Sequence, residues 1–184
     1  MDDEKRLIQR IQKYSDRTAA DTLIQMYYDE ILIYTFRQTQ DRHIAMDLTQ
    51  GIFISMLKTI PSFDPKKAGF RTWLYKIATN KIIDFHRSRG GIRNKILNLD
   101  DLELPTEDDF TFQMENKELI QRINAYVGDF DAVTQRIFRM KVFGEYKFTE
   151  IAAITKQPEA KVKTRYYRLL KLIRKEFGHE NHTG

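Results

Sequence analysis

Apolar residues recur at intervals of three and four along almost the whole chain, whereas strict two-residue alternation bounded by turn pairs is scarce. That rhythm predicts an all-α fold. The first stripe predicts a helix near residues 4 to 14. Asp16 or Thr18 is placed to cap a second helix through LIQMYYDEILIYTFRQT, and a third starts near Asp41 and runs through IAMDLTQGIFISMLKTI. Pro61, Pro65 and Gly69 interrupt the pattern in the loop PSFDPKKAG, after which GFRTWLYKIATNKIIDFHRSR reads as a fourth helix. The rhythm lapses from Gly90 to about Asn116, returns in ENKELIQRINAYVGDF and DAVTQRIFRMKVF, and closes with helices around FTEIAAIT and PEAKVKTRYYRLLKLIRKEF.

Helical spacing sorts the fourth helix into faces. Tyr75, Lys76, Thr79, Asn80, Ile83, Asp84 and Arg87 share one broad side, and Leu74, Ile77, Ala78, Ile82 and Phe85 the opposite one. Trp73, the only tryptophan, borders the apolar side one turn before Ile77, which predicts a core role for it. The other side suits an opened nucleic-acid duplex, because aromatic faces hold unstacked bases, basic groups follow phosphates, and an amide such as Asn80 donates and accepts at one base edge.

The last two predicted helices carry a second candidate site. Thr149 is expected to cap a short helix with Ile151, Ala152 and Ile154 facing inward. A break follows at Lys156-Gln157-Pro158, and the final helix then presents Val162, Tyr166, Leu169, Leu170 and Ile173 as its apolar stripe. This predicts a helix-turn-helix. From Lys161 to Lys175 there are seven basic residues and no acid, whereas generic surface intersperses both signs. Glycine is the easier residue at such a turn, and Lys156 stands there instead.

Charge gives the chain three parts. Residues 1–89 carry net +4, residues 90–115 net −5 and residues 116–184 net +6. The division predicts two small helical domains, 1–89 and 116–178, joined by an acidic linker at 90–115 and followed by a frayed tail at 179–184. The C-terminal domain falls in the helix-turn-helix, winged-helix-like class. No apolar run is long enough for a membrane span, and the acidic start MDDEKRLIQR is unlike a secretory signal, so a cytoplasmic protein is expected. The chain has no cysteine, which excludes disulfides and thiolate chemistry. Its four histidines are scattered, and HExxH, P-loop, GxSxG and GxGxxG patterns are absent. Neither an enzyme nor a cofactor is expected.

Taken together, YYDEILIYTFRQTQDRHIAMDLTQGIFISML, PSFDPKKAGFRTWLYKIATNKIIDFHR and TEIAAITKQPEAKVKTRYYRLLKLIR resemble the two domains of a small bacterial sigma factor of the extracytoplasmic-function (ECF) group. The stretch FRTWLYKIATNKIID carries most of that resemblance. It implies a subunit that binds core RNA polymerase, through the clamp helices and a flap, and directs it to promoter DNA. Asp47 and Gln50 would contact the clamp, with Asp41 and Arg42 assisting; Gly51 stands where the family more often has an acid. The −10 element would meet Phe63, Asp64, Pro65, Lys66, Lys67, Tyr75, Lys76, Asn80, Asp84 and Arg87. Lys163, Thr164, Tyr167 and Arg168 would face the −35 element, with Lys161, Arg165 and Lys141 toward the DNA backbone. The resemblance further implies a monomer when free, an anti-sigma partner, and association with the nucleoid in the holoenzyme. A rival reading is a dimeric helix-turn-helix regulator that acts without polymerase.

Overall fold

The computed structural model describes residues 2–90 and 117–178; the acidic linker, apart from its first residue, and the tail lie outside the described residues. Among the described residues the elements are α1 (Asp2–Tyr14), α2 (Arg17–Thr39), α3 (Arg42–Thr59), a 3-10 turn (Ile60–Ser62), α4 (Phe70–Gly90), α5 (Lys117–Gly128), α6 (Ala132–Val142), α7 (Phe148–Thr155) and α8 (Glu159–Phe177). The all-α expectation holds. The chain divides into two compact units, Met1–Ile82 and Ile83–Gly184, and the division falls inside α4.

In the first unit the helix starts follow cap chemistry. Of the two residues expected to cap α2, Asp16 does so: its carboxylate accepts from the Ala19 N–H at 3.1 Å and pairs with Arg10 at 2.6 Å. These donors hold the Asp16 carboxyl below its ordinary value, the Ala19 bond first and Arg10 second. α2 ends where Gln40 takes a left-handed conformation, and the next residue, Asp41, caps α3 by accepting from His43 and Ile44. Helices α1, α2 and α3 pack in sequence, and the 3-10 turn closes against α1 and α3. Ile8, Ile11, Leu23, Ile31, Ala45, Ile52, Met56, Leu74 and Ile82 fill the core.

Helix α4 joins this core by a stripe that differs from the expected one. Phe70, Leu74, Tyr75, Ala78, Thr79, Ile82 and Ile83 are buried, while Ile77 and Phe85 are half-buried. Tyr75 and Thr79 thus move from the predicted solvent side to the inside. The cause is a polar seam between α2 and α4 that gives the buried hydroxyls partners. Tyr34 and Thr79 share a hydrogen bond of 2.9 Å, the Tyr75 hydroxyl donates to Glu30 at 2.7 Å, and the Tyr34 and Tyr75 rings lie 4.7 Å apart.

In the second unit α6, α7 and α8 pack on one another, the helix-turn-helix being α7 and α8. Val162, Leu169, Leu170 and Ile173 are buried as expected, and Tyr166 is half-buried. Ile151 is buried on α7, whereas Ala152 and Ile154 are only partly covered. Thr149 is not the cap. α7 starts after Lys147, whose N–H donates to Glu150 at 2.8 Å, because an acid three residues into a helix reaches back to the cap backbone. The turn is made by Lys156 itself at φ 54°, its N–H donating to the Ala152 carbonyl.

Candidate functional site

The surface of the first unit is built around the loop before α4. Phe63 is buried, its ring 5.6 Å from Phe70 and 5.0 Å from Trp73. It anchors the loop from inside, whereas an open position was expected for a residue that meets a base. Asp64 turns the chain: its carboxylate accepts from the Lys66 N–H at 3.0 Å and its carbonyl from the Lys67 N–H at 3.0 Å. Lys66 and Lys67 are left exposed. Lys67 also lies 3.7 Å from the Asp64 carboxylate, a solvated pairing of little strength.

Along α4, Trp73, Lys76, Ile77, Asn80, Asp84 and Arg87 are among the exposed or half-exposed positions and recur at helical spacing. Tyr75 lies on the buried side of the helix and Trp73 at the edge of the exposed one. Tyr75 sits on the buried stripe beneath Arg71, whose guanidinium lies 4.7 Å over its ring and whose Nε donates to Glu30 at 2.6 Å. Trp73 leans on Phe63 and Phe70 yet stays half-exposed at the edge of the polar side. Spacing alone rotated the helix by about one residue, since a tyrosine with a hydroxyl partner packs inward as well as an aliphatic residue.

The second unit carries its expected residues on two helices, Lys141 on α6 and the others on α8. Lys161 is exposed at the start of α8, and Lys163, Thr164 and Tyr167 are half-exposed beyond it. Lys163 pairs with Glu159 at 3.0 Å. The Thr164 hydroxyl donates to the Ala160 carbonyl at 2.8 Å, leaving its methyl group and lone pairs to a partner. Phe148, at the start of α7, gathers this face. The Lys141 and Lys163 ammonium groups lie 4.8 and 5.8 Å from its ring centre, and Tyr166 and Tyr167 pack at 5.4 and 5.9 Å. Nothing in the local spacing around Phe148 marked it, because its partners come from α6 and α8.

Two expected contacts are used internally. Arg168, expected to face the −35 element, is buried in the second unit. Arg165 donates from Nη1 to Asp131 at 3.1 Å and to Thr134 at 2.9 Å, tying α8 to the start of α6. Asp131 caps α6 by accepting from Val133 and Thr134. Desolvation pushes its carboxyl up, but the Thr134 hydroxyl and N–H, Arg165 and the Val133 N–H outweigh it, and the group stays below its ordinary value.

A family model described as sigma-70 region 2 matches residues 23–92. ECF RNA polymerase sigma factor SigE of Mycolicibacterium smegmatis is 34% identical over 88 residues, which cover 48% of this chain and 34% of that protein. ECF RNA polymerase sigma factor SigW of Bacillus subtilis is 27% identical over 183 residues, covering 94% of this chain and 95% of that one. The chain belongs to the ECF sigma factors. Its role is accordingly that of a sigma factor in transcription initiation. A solved chain, CnrH in complex with the cytosolic domain of CnrY, shares the fold with a TM-score of 0.61 at 16% identity, covering 96% of this chain and 98% of that one.

This ECF sigma factor has a further surface over α2 and α3, which includes Asp47 and Gln50. Both are exposed on α3, on the side that also shows Met46, Ile54 and Leu57, with Ile54 at 54% exposure. On α2 the solvent side shows Met26, Ile33 and Phe36. Apolar side chains this open mark surfaces that meet a partner. The available signal was the second helix, LIQMYYDEILIYTF, which is apolar around much of its circumference rather than along one stripe. Gly51 lies within α3, which continues unbroken past it, and a Cβ there would meet nothing within 4 Å. The fold therefore does not require glycine at that position. Among the described residues no helix is long and apolar enough to cross a membrane, and no three histidine or acidic residues group as a metal site.

Proposed function

We propose that this sigma factor binds core RNA polymerase through the exposed side of α3 and directs it to promoters with a division of labour between its units. Asp47 and Gln50, set among Met46, Ile54 and Leu57, dock on the clamp helices. The apolar exposure of α2 and α3 carries this reading, because an open apolar helix face that also presents Asp47 and Gln50 suits docking on a protein rather than on DNA. Lys66 and Lys67 in the loop and Trp73, Lys76, Asn80, Asp84 and Arg87 on α4 engage the −10 element as it opens. Lys161, Lys163, Thr164 and Tyr167, with Lys141 behind them, face the −35 element.

The free protein is a monomer in the cytoplasm, and in the holoenzyme it joins the nucleoid. An anti-sigma protein covers the apolar face when the factor is held inactive. Run-off transcription with core enzyme tests the proposal. The purified chain should yield transcripts from discrete genomic start sites, and Asp47→Ala should lower their yield by weakening core binding. Tight palindrome binding by a dimer, with no promoter-specific transcript on any genomic template, would establish the polymerase-independent regulator instead.

A further inference from the structure

The loop that presents Lys66 and Lys67 is held by a residue from the far end of its unit. Gln12, half-buried on α1, donates from its one amide nitrogen to two main-chain carbonyls, Ile60 at 2.9 Å and Phe63 at 2.9 Å. An NH2 group has two protons, and here each has an acceptor. The two carbonyls belong to the two ends of the 3-10 turn, which closes on itself through the Phe63 N–H to Ile60 carbonyl bond at 3.0 Å. The next residue is Asp64, whose carboxylate and carbonyl fold the chain back and point Lys66 and Lys67 outward. The register of the exposed loop therefore starts from the turn, and the turn is fixed from above by the Phe70 and Trp73 rings and from α1 by one side chain.

We propose that Gln12 is a positioning residue for promoter opening: its amide, reaching from α1, clamps the turn that seats Phe63 and so sets where Lys66 and Lys67 meet the −10 strand. This rests on the assignment of that loop to the −10 element. Gln12 itself touches no DNA. Its effect is transmitted through Phe63, which makes Trp73, 5.0 Å from that ring, a reporter inside the chain.

The test uses the full chain assembled with core polymerase and a fluorescent single-stranded −10 oligonucleotide from a mapped promoter. Gln12→Met keeps length and apolar packing but has no N–H to donate. It should weaken binding of the −10 strand about tenfold, the size of one displaced contact of ordinary strength, and shift Trp73 emission. Core affinity and binding of a double-stranded −35 fragment should stay within about twofold of the unmodified protein, changes under about 0.4 kcal/mol. Gln12→Glu, which keeps the shape and sets a carboxylate against the two carbonyls, should show the same selective defect and stands in if the methionine variant does not fold. Equal losses of core, −35 and −10 binding would make Gln12 a general stability residue and overturn the proposal. A Lys66→Ala, Lys67→Ala double variant separates the two levels. If it loses −10 affinity while Gln12→Met retains it, the clamp is wrong and the loop assignment stands; if neither loses it, the assignment fails and the clamp with it.

Discussion

Removing one oxygen from Tyr75 distinguishes a scaffold role from a DNA-contacting one. In Tyr75→Phe the buried ring keeps its place against Tyr34, while the hydroxyl's bond to Glu30 and the long 3.5 Å bond it accepts from Arg71 disappear. A hydrogen bond to a charged group contributes about 1.5 to 3 kcal/mol. The Glu30 side chain is 34% exposed and retains Arg71, so its carboxylate stays partnered and solvated, and the loss should be nearer 1 kcal/mol. For a unit of this size that lowers the melting temperature by about 4 to 8 °C. With a urea dependence of about 1 to 3 kcal/mol/M, the midpoint falls by about 0.3 to 1 M. Trp73 is the only tryptophan and lies in the same unit, so its fluorescence follows that unit's unfolding in the intact chain. Tyr75→Ala empties a buried aromatic site and should cost about 3 to 5 kcal/mol. Binding of the −10 strand by folded Tyr75→Phe holoenzyme should be unchanged. An unshifted urea midpoint together with lost −10 binding would refute the buried assignment and return Tyr75 to the DNA face.

Lys156→Gly should stabilise the second unit by about 0.5 to 1 kcal/mol, since glycine relieves a left-handed backbone costing other residues about 1 to 2 kcal/mol and gives part of that back as unfolded-state entropy; calorimetry of the full chain checks it. Arg165→Ala should cost about 1 to 2 kcal/mol by unpairing Asp131 while leaving the salt dependence of promoter binding unchanged, whereas Lys161→Ala should lower the salt slope by about one; equal slopes for the two variants would make Arg165 a phosphate contact. Because the Asp131 carboxyl is depressed in the folded state, its contribution is complete above the ordinary value of 3.8 and is lost as pH falls through the lower folded value. An acid titration followed by circular dichroism should therefore show Asp131→Asn less sensitive to pH below about 4 than the unmodified chain. Gly51→Ala should stabilise α3 by up to about 1 kcal/mol in urea unfolding, since the added methyl group meets open space.

The periodicity of the chain determined by itself that it is helical and where the helices break, and it narrowed the cap of α2 to Asp16 or Thr18, because 3.6-residue spacing and short polar caps are local properties with local causes. The basic run in α8 and the break at Lys156 were legible for the same reason. Tertiary packing decided which side of a mixed helix turns inward. On α4 the polar seam to α2 lets Tyr75 and Thr79 go inside with their hydroxyls satisfied, and Trp73 is displaced to the rim where it closes over Phe63. In the second unit Arg165 and Arg168 read as free cations in a basic run, yet one ties two helices together and the other is buried. A charge's use depends on what the fold brings beside it, and for Arg165 that partner lies 34 residues away in Asp131. The Phe148 cluster and the hold of Gln12 on the Phe63 turn are of the same kind, since each joins residues from helices that are distant along the chain and adjacent only after folding.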